Sequence, residues 1–173
     1  MSDNFEILEP RLLRTLAYEA LDETWDDTGS SSYVPEKDHS KPTKRTIHQH
    51  PYCSLYSRIF LKKVVEIVGP EAFQVLARFS DDCCHYMPLI GDTCVDGTYQ
   101  QFIKTKPKTW LPKVLIGSLG SPRVNKVLER AQISQRSYLW APLSDSDKVI
   151  TSPGEFEHHI KEASRALNPD TET

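Results

Sequence analysis

The chain has 173 residues, of which 38% are hydrophobic and 26% are charged, and its formal net charge is −3. This length suffices for one domain with its own core, and the composition is too apolar for a disordered protein. No run approaches the roughly 20 apolar residues of a membrane-spanning helix, and the first residues lack the basic and apolar segments of a secretory signal. We therefore expect a cytoplasmic, intracellular protein without membrane association, whose cysteines are free thiols.

Residues 1–25 contain the clearest amphipathic helix in the sequence. Its apolar positions share one face, and they are Leu12, Leu13, Leu16, Ala17, Ala20 and Leu21. A wide stripe of this kind favours packing on the chain's own core, although a short amphipathic helix can also dock into a partner's groove. Residues 26–50 are polar and show no hydrophobic period, which predicts a linker or a long loop.

The most apolar stretch, residues 51–79, determines the predicted fold. Apolar residues recur at helical spacing from 55 to 67, Gly69-Pro70 interrupts the pattern, and a similar spacing resumes from 73 to 79. Glycine at the end of one helix and proline at the start of the next fit such a break. The pattern therefore predicts two helices packed as an antiparallel hairpin.

Two further helix starts stand out in the second half of the chain. Ser121-Pro122 matches an N-cap followed by proline in the first turn, and Ser152 to Glu155 matches a capping box. Residues 51–173 are thus predicted to be a helical core domain with a frayed C-terminal tail. The expected fold is a single, mainly α globular domain of about five or six helices, with at most one or two short strands.

Cysteine and histidine residues cluster at the two ends of the predicted hairpin. Cys53 begins its first helix, whereas Cys83, Cys84 and His85 follow its second. In an antiparallel hairpin these ends are adjacent, and sulfur and imidazole are ligands that zinc prefers. The spacing lacks a CxxC pair, however. Zinc is the one cofactor that the pattern suggests, and the simpler interpretation is no cofactor, with the thiols packed as small hydrophobic groups.

A catalytic cysteine is the other use of these residues. A thiol nucleophile needs a histidine and an orienting group within hydrogen-bond reach, and the adjacency of Cys84 and His85 in sequence does not provide this. The chain has no GxSxG motif and no GK[ST] phosphate loop. No motif is specific enough to indicate a family, so the sequence alone identifies no catalytic residue and favours a protein that is not an enzyme.

Charge is distributed in blocks, and residues 98–136 carry eight basic residues and one acidic residue. Aromatic residues interleave with the basic ones, a mixture that suits base stacking and phosphate neutralisation. The candidate residues for binding a partner or nucleic acid are Tyr99, Lys104, Lys106, Lys108, Trp110, Lys113, Arg123, Lys126 and Arg130. The alternative is that the aromatic residues belong to the core and that oppositely charged blocks face one another.

The leading functional prediction is a non-enzymatic intracellular binding protein, a subunit or adaptor of a larger assembly. It follows from the missing catalytic set, the segmented charge and the helix set apart by a polar linker. Its expected partner is another protein or a second copy of the chain. A nucleic-acid-binding protein using residues 98–136 is the first alternative, and an enzyme with a zinc or cysteine centre is the second.

Overall fold

The computed structural model describes residues 8–28, 52–80, 83–103, 107–133 and 140–167. In this part of the chain the helices are α1 (Pro10–Thr28), α2 (Tyr52–Val68), α3 (Pro122–Arg130) and α4 (Pro153–Leu167). The strands are β1 (Val75–Ser80), β2 (Cys83–Ile90), β3 (Thr93–Asp96), β4 (Leu115–Ser118) and β5 (Lys148–Ile150). Short 3-10 turns lie at Pro70–Ala72 and Tyr99–Phe102.

The strands form one antiparallel sheet in the order β4-β3-β2-β1-β5. Neighbouring residues of a strand point to opposite faces, and both faces of this sheet are covered. On one face, α1, α2 and α4 share a core with the sheet residues Val75, Ala77, Tyr86, Ile90 and Val95. On the other face, α3 and the Tyr99–Phe102 turn pack on Leu76, Met87, Leu89 and Cys94. The sheet is therefore the middle of three layers.

The prediction of a mainly α domain is wrong, because the second half of the expected hairpin is strand β1. α2 ends at Val68, and after Gly69, with φ 108°, and the turn Pro70–Ala72 the chain becomes extended. Val75, Leu76 and Ala77 are all buried because the sheet is covered on both faces. A strand buried on both faces reads as a continuous apolar run, which periodicity alone does not separate from a helix.

Helix α1 packs against the body of the protein. The leucines and alanines of its predicted stripe, except the partly exposed Leu12, are buried in the core that α1 shares with α2. The helix extends to Thr28, beyond the predicted boundary at residue 25, and residues 29–50 of the predicted linker lie outside the described residues. None of the described helices is both long enough and apolar enough to cross a membrane.

Both predicted helix starts in the second half of the chain are confirmed. The hydroxyl oxygen of Ser121 accepts a hydrogen bond from the Val124 amide, and α3 follows with proline in its first turn. At α4, the Glu155 amide donates to Ser152 Oγ at 3.2 Å. These caps are local, so the sequence contains what is needed to predict them.

Candidate active site

The first turn of α2 carries a buried thiol above the sheet. Cys53 is the second residue of the helix and is 8% exposed. Further along, Tyr56, Phe60 and Val64 anchor α2 in the core, so the helix has little freedom to slide. The first four amide groups of any helix have no acceptor within the helix. The Cys53 sulfur therefore lies beside backbone donors that can hold a negative charge.

The turn after β3 also fixes the position of α2. Gly97 follows the last residue of β3, and the ring of Tyr56 lies directly against it. A Cβ atom at position 97 would be 2.4 Å from Cε2 of that ring, a distance that real Cβ atoms essentially never show. Only glycine permits this contact between α2 and the turn.

A histidine and an aspartate are paired inside the protein where β2 and β3 separate. Pairing between these strands ends at Leu89↔Cys94, and beyond it the side chains of His85 and Asp96 meet. Asp96 Oδ2 lies 2.7 Å from His85 Nε2, and both residues are 0% exposed. The other carboxylate oxygen, Oδ1, accepts bonds from the Thr98 amide at 2.8 Å and the Thr98 hydroxyl at 3.2 Å. The carboxylate is thus fixed in one orientation.

The remaining nitrogen of His85, Nδ1, faces polar groups rather than the core. The side-chain nitrogen of Gln101 lies 3.2 Å from it. A side-chain amide has both a donor and an acceptor, so Gln101 can bond to Nδ1 in either protonation state by rotating. Because Asp96 occupies Nε2, Nδ1 is the nitrogen that can exchange a proton with a nucleophile.

The imidazole of His85 is enclosed by aromatic rings. Phe102 lies perpendicular to it with centroids 4.9 Å apart, and Trp140 is 6.3 Å away. Arg78 holds the segment that carries Trp140, because its guanidinium donates to the carbonyl oxygens of Ala141 at 2.7 Å and Pro142 at 3.1 Å. This enclosure keeps water away and strengthens the electrostatic interactions of the ring.

Cys53 and Asp96 both act on the charge state of His85. Burial on its own would lower the pKa of His85, but the charge and hydrogen bond of Asp96 oppose it, as do a hydrogen bond and the charge of Cys53. Together these groups raise the pKa of His85 to about 10. The imidazole is therefore protonated at neutral pH, and the Cys53 thiol is one of the groups near enough to act on its charge. A thiol next to an imidazolium is the arrangement in which cysteine reacts as a nucleophile.

The candidate site therefore combines the Cys53 thiol with a buried imidazole that Asp96 orients through Nε2. The chain matches no family model. It also shows no significant similarity to the curated proteins or to the solved structures with which it was compared. The assignment of this site rests on its geometry.

The other cysteines have different surroundings. Burial, and then the charge of Asp96, raise the pKa of the Cys94 thiol well above its usual value, against an opposing effect of Arg78. Cys94 therefore stays a neutral core thiol. Cys84 is half-buried on the face of β2 that carries Tyr86, opposite to the direction of its neighbour His85.

The predicted zinc ligands are only partly brought together. Cys53 belongs to the core on the face of the sheet that carries Tyr86, whereas His85 points to the opposite face, where Phe102 and Trp140 lie. Cys53 nevertheless acts on the pKa of His85. Cys84 and His85 are adjacent in β2 and point to opposite faces, and the side chain of Cys83 is outside the described part of the structure. Among the described residues, no group of three or more His, Cys, Asp or Glu side chains is arranged to hold a metal ion.

The basic and aromatic candidates occupy different environments. Tyr99 is 0% exposed, so it belongs to the core, where its hydroxyl donates to the carbonyl of Pro112. Lys104 and Lys106 lie outside the described residues. Trp110 is 81% exposed. The remaining candidates are exposed, and they are Lys108, Lys113, Arg123, Lys126 and Arg130.

Sequence reasoning did not identify Asp96 or Gln101 as site residues. Asp96 is followed by Gly97, a pattern that ordinarily indicates a solvated turn. The available signal was a helix with cysteine in its first turn, followed by two strands that carry His and Asp. Recognising that signal requires β2 and β3, which were not predicted as strands.

Proposed function

We propose that this protein is a thiol-dependent acyl-transfer enzyme that cleaves an amide or ester through a covalent intermediate on Cys53. The single observation that carries the proposal is the buried His85–Asp96 pair, with the Cys53 thiol near enough to act on the charge of His85. Of the three functions predicted from the sequence, this corresponds to the enzyme with a cysteine centre. A cysteine with a purely structural role does not require an imidazole nearby, and a histidine with a purely structural role does not require a nearby thiol.

Each group has a defined task in the reaction. In the reactive state Cys53 is a thiolate beside the protonated His85, and the thiolate attacks the carbonyl carbon of the substrate. The negative charge that forms on oxygen is stabilised by amide N–H groups in the first turn of α2. His85 donates the proton on Nδ1 to the leaving amine or alcohol, which leaves a thioester on Cys53. Water or an acceptor amine then attacks the thioester, giving its proton to His85, and the thiolate is released.

Asp96 orients and stabilises His85 throughout this cycle. Its bond to Nε2 fixes the orientation of the ring, and its charge stabilises the imidazolium between the two half-reactions. The two bonds from Thr98 hold the carboxylate in turn. Gln101 is a positioning residue, because its side-chain amide can hydrogen-bond to Nδ1 in both protonation states.

An activated ester tests the proposal without knowledge of the natural substrate. On incubation with p-nitrophenyl acetate, we expect one acetyl group per chain, which peptide mass mapping will place on Cys53. Cys53→Ser removes the adduct, and His85→Asn slows its formation by about 10²- to 10⁴-fold, the usual contribution of a general acid–base. The matched control is Cys84→Ser, which removes a half-buried thiol on the other face of β2 and leaves the rate unchanged.

The position of the acetyl group decides the result. Acylation that falls equally on Cys53 and Cys84, or a rate that does not change in the His85 variant, contradicts the proposal. Circular dichroism of His85→Asn confirms that a slow rate comes from lost chemistry. If that variant does not fold, the rate of carbamidomethylation of Cys53 by iodoacetamide, compared with that of Cys84 in the unmodified protein, gives the same decision.

A further inference from the structure

A groove of about 260 Å³ lies beside β4, well separated in sequence from the Cys53 site. Among the described strands β4 is the last of the sheet, so one of its sides has no neighbouring strand in that part of the chain. The apolar floor of the groove includes Leu115 and Ile116 of this strand. Helices α1 and α3 contribute its walls, and a segment that contains Trp110 completes it.

Three arginines from two helices border the groove. They are Arg14 on α1 and Arg123 and Arg130 on α3. All three are exposed, and none of them forms an ion pair with a carboxylate among the residues that the structure describes. Arginines that neutralise local acidic groups would show such pairs. Unpaired guanidinium groups around one concavity favour an anionic ligand, and their planar geometry matches phosphate or carboxylate oxygens.

Aromatic side chains border the same groove. The Trp110 ring is 81% exposed, which is unusual for a tryptophan in a folded protein, and half-buried Tyr18 of α1 also lines the space. Exposure of the apolar indole ring to water is unfavourable, and a ligand that stacks on the ring removes part of it from water. Bases stack on such rings with little dependence on sequence.

We propose that this groove binds a nucleoside phosphate, with the base stacked on Trp110 and the phosphate held among the three arginines. The proposal does not depend on the function assigned to Cys53. It develops the predicted nucleic-acid contact in residues 98–136, with Tyr99 removed because it is in the core and Arg14 and Tyr18 added from α1.

Charge and size favour this ligand over an acidic peptide. A phosphate monoester carries a charge of about −1.5 to −2 at neutral pH and presents three acceptor oxygens, so one group engages several guanidinium groups. A peptide carboxylate carries a single charge and does not use an exposed indole. Ligand pockets usually measure about 300 to 1,000 Å³, so a groove this small suits a single nucleotide unit.

The experiment measures binding to the full chain by isothermal titration and by Trp110 fluorescence. The probes are AMP, ATP, a dT₁₂ and an rU₁₂ single strand, adenosine, inorganic phosphate and an oligoglutamate peptide. We expect nucleotide binding that Trp110→Ala weakens by about fivefold or more, the usual effect of losing a stacked base. The double variant Arg123→Ala, Arg130→Ala weakens it by about tenfold or more. Both variants alter exposed side chains, so they retain the fold.

A second double variant is the matched control. Lys161→Ala, Arg165→Ala removes two exposed positive charges from α4, so the net charge changes by the same amount as in the groove variant. We expect its nucleotide affinity to stay within twofold of the unmodified protein. Trp110→Ala should leave the binding of inorganic phosphate unchanged, because phosphate has no base to stack.

The remaining arms identify the source of the nucleoside phosphate. Single strands that bind much more tightly than AMP, with an affinity that falls steeply with salt, assign the groove to nucleic acid. Equal affinity for AMP and for the strands assigns it to free nucleotides. The proposal is overturned by the absence of nucleotide binding, by equal losses in the two double variants, or by oligoglutamate binding as tightly as the nucleotides.

Discussion

The two ring nitrogens of His85 have separate tasks, and a single buried carboxylate assigns them. Asp96 bonds to Nε2, and Gln101 lies at Nδ1. A histidine without such a partner would lose its charge on burial. The ion pair therefore has two consequences, one for the stability of the fold and one for the reactivity of the thiol.

Asp96→Asn tests this residue pair through pH. Because the folded pKa of His85 is raised to about 10, the pair stabilises the protein fully below the unfolded value of about 6.5 and loses that effect as pH rises through 10. Removing the charge leaves His85 buried without compensation, a loss of about 3–5 kcal/mol in the free energy of unfolding at pH 6. We expect a smaller loss at pH 9.5.

Urea unfolding of both proteins at the two pH values measures the difference. Glu157→Gln is the control, since it breaks the half-exposed ion pair with Arg58, and we expect a loss of at most about 1 kcal/mol that is the same at both pH values. A loss in Asp96→Asn that does not vary with pH would show that the carboxylate acts on something other than the charge of His85.

At the scale of elements, the segment after residue 140 depends on β1 for its position. Arg78 in β1 is 2% exposed and contacts Asp147 Oδ2 at 2.6 Å in addition to the two carbonyls of the segment. The Ser144 amide donates to the same oxygen at 2.8 Å. These bonds determine where Trp140, at the start of the segment, packs against Phe102 and His85.

Asp147→Asn should loosen this segment. Burial alone would raise the pKa of Asp147, but the bond from the Ser144 amide and the bond and charge of Arg78 lower it. This carboxylate therefore stabilises the fold above its unfolded pKa, and the effect is lost as pH falls through the lower, folded value. At pH 7, we expect the variant to lose about 3 kcal/mol by leaving the Arg78 charge unpaired by a carboxylate.

Denaturant unfolding and limited proteolysis measure this change. Asp145→Asn is the matched control, because it makes the same chemical change at an exposed position two residues away, and it should unfold like the original protein. We expect new cleavage near residue 143 in the Asp147 variant only. Equal behaviour of the two variants would mean that Arg78 does not use Asp147 to hold the segment.

The sequence predicted local features well and long-range ones poorly. Caps at Ser121 and Ser152 depend on neighbouring residues, and both helix starts are confirmed. β5 has three residues and exists because it pairs with β1, from Val75↔Ile150 to Ala77↔Lys148. Its own sequence, KVI, carries no such information. The same limit explains β1, whose apolar run fits a buried strand and a helix equally.

The candidate site also depends on residues that are distant in sequence, so local patterns do not predict it. Cys53 and His85 were expected to meet at the ends of a helical hairpin, whereas the chain returns through strands β1 and β2, and Cys53 acts on the pKa of His85. Asp96 joins them only because β3 separates from β2 at one defined point. Hydrophobic periodicity in a short stretch of sequence does not indicate where two strands separate. The sequence near Asp96 therefore contained no signal that it belongs to the site.

For the whole molecule, the binding role inferred from the sequence stays a prediction with a direct test. A subunit of a larger assembly should elute with a partner, or as an oligomer, in size-exclusion chromatography with light scattering. Exposed apolar side chains such as Ile67, at 51%, and Phe79, at 44%, are the positions that self-association would cover. A monomer at high concentration, with no partner retained from native extract, contradicts this role.

The contact of Gly97 with Tyr56 joins two parts of the active site mechanically. The tyrosine belongs to the helix that presents the sulfur, and the glycine directly follows the residue that supplies the carboxylate. A shift of either part must displace the other. Opening of the candidate site should therefore come from the segments around it, such as the one bearing Trp140, while Cys53 and Asp96 move as a single rigid unit.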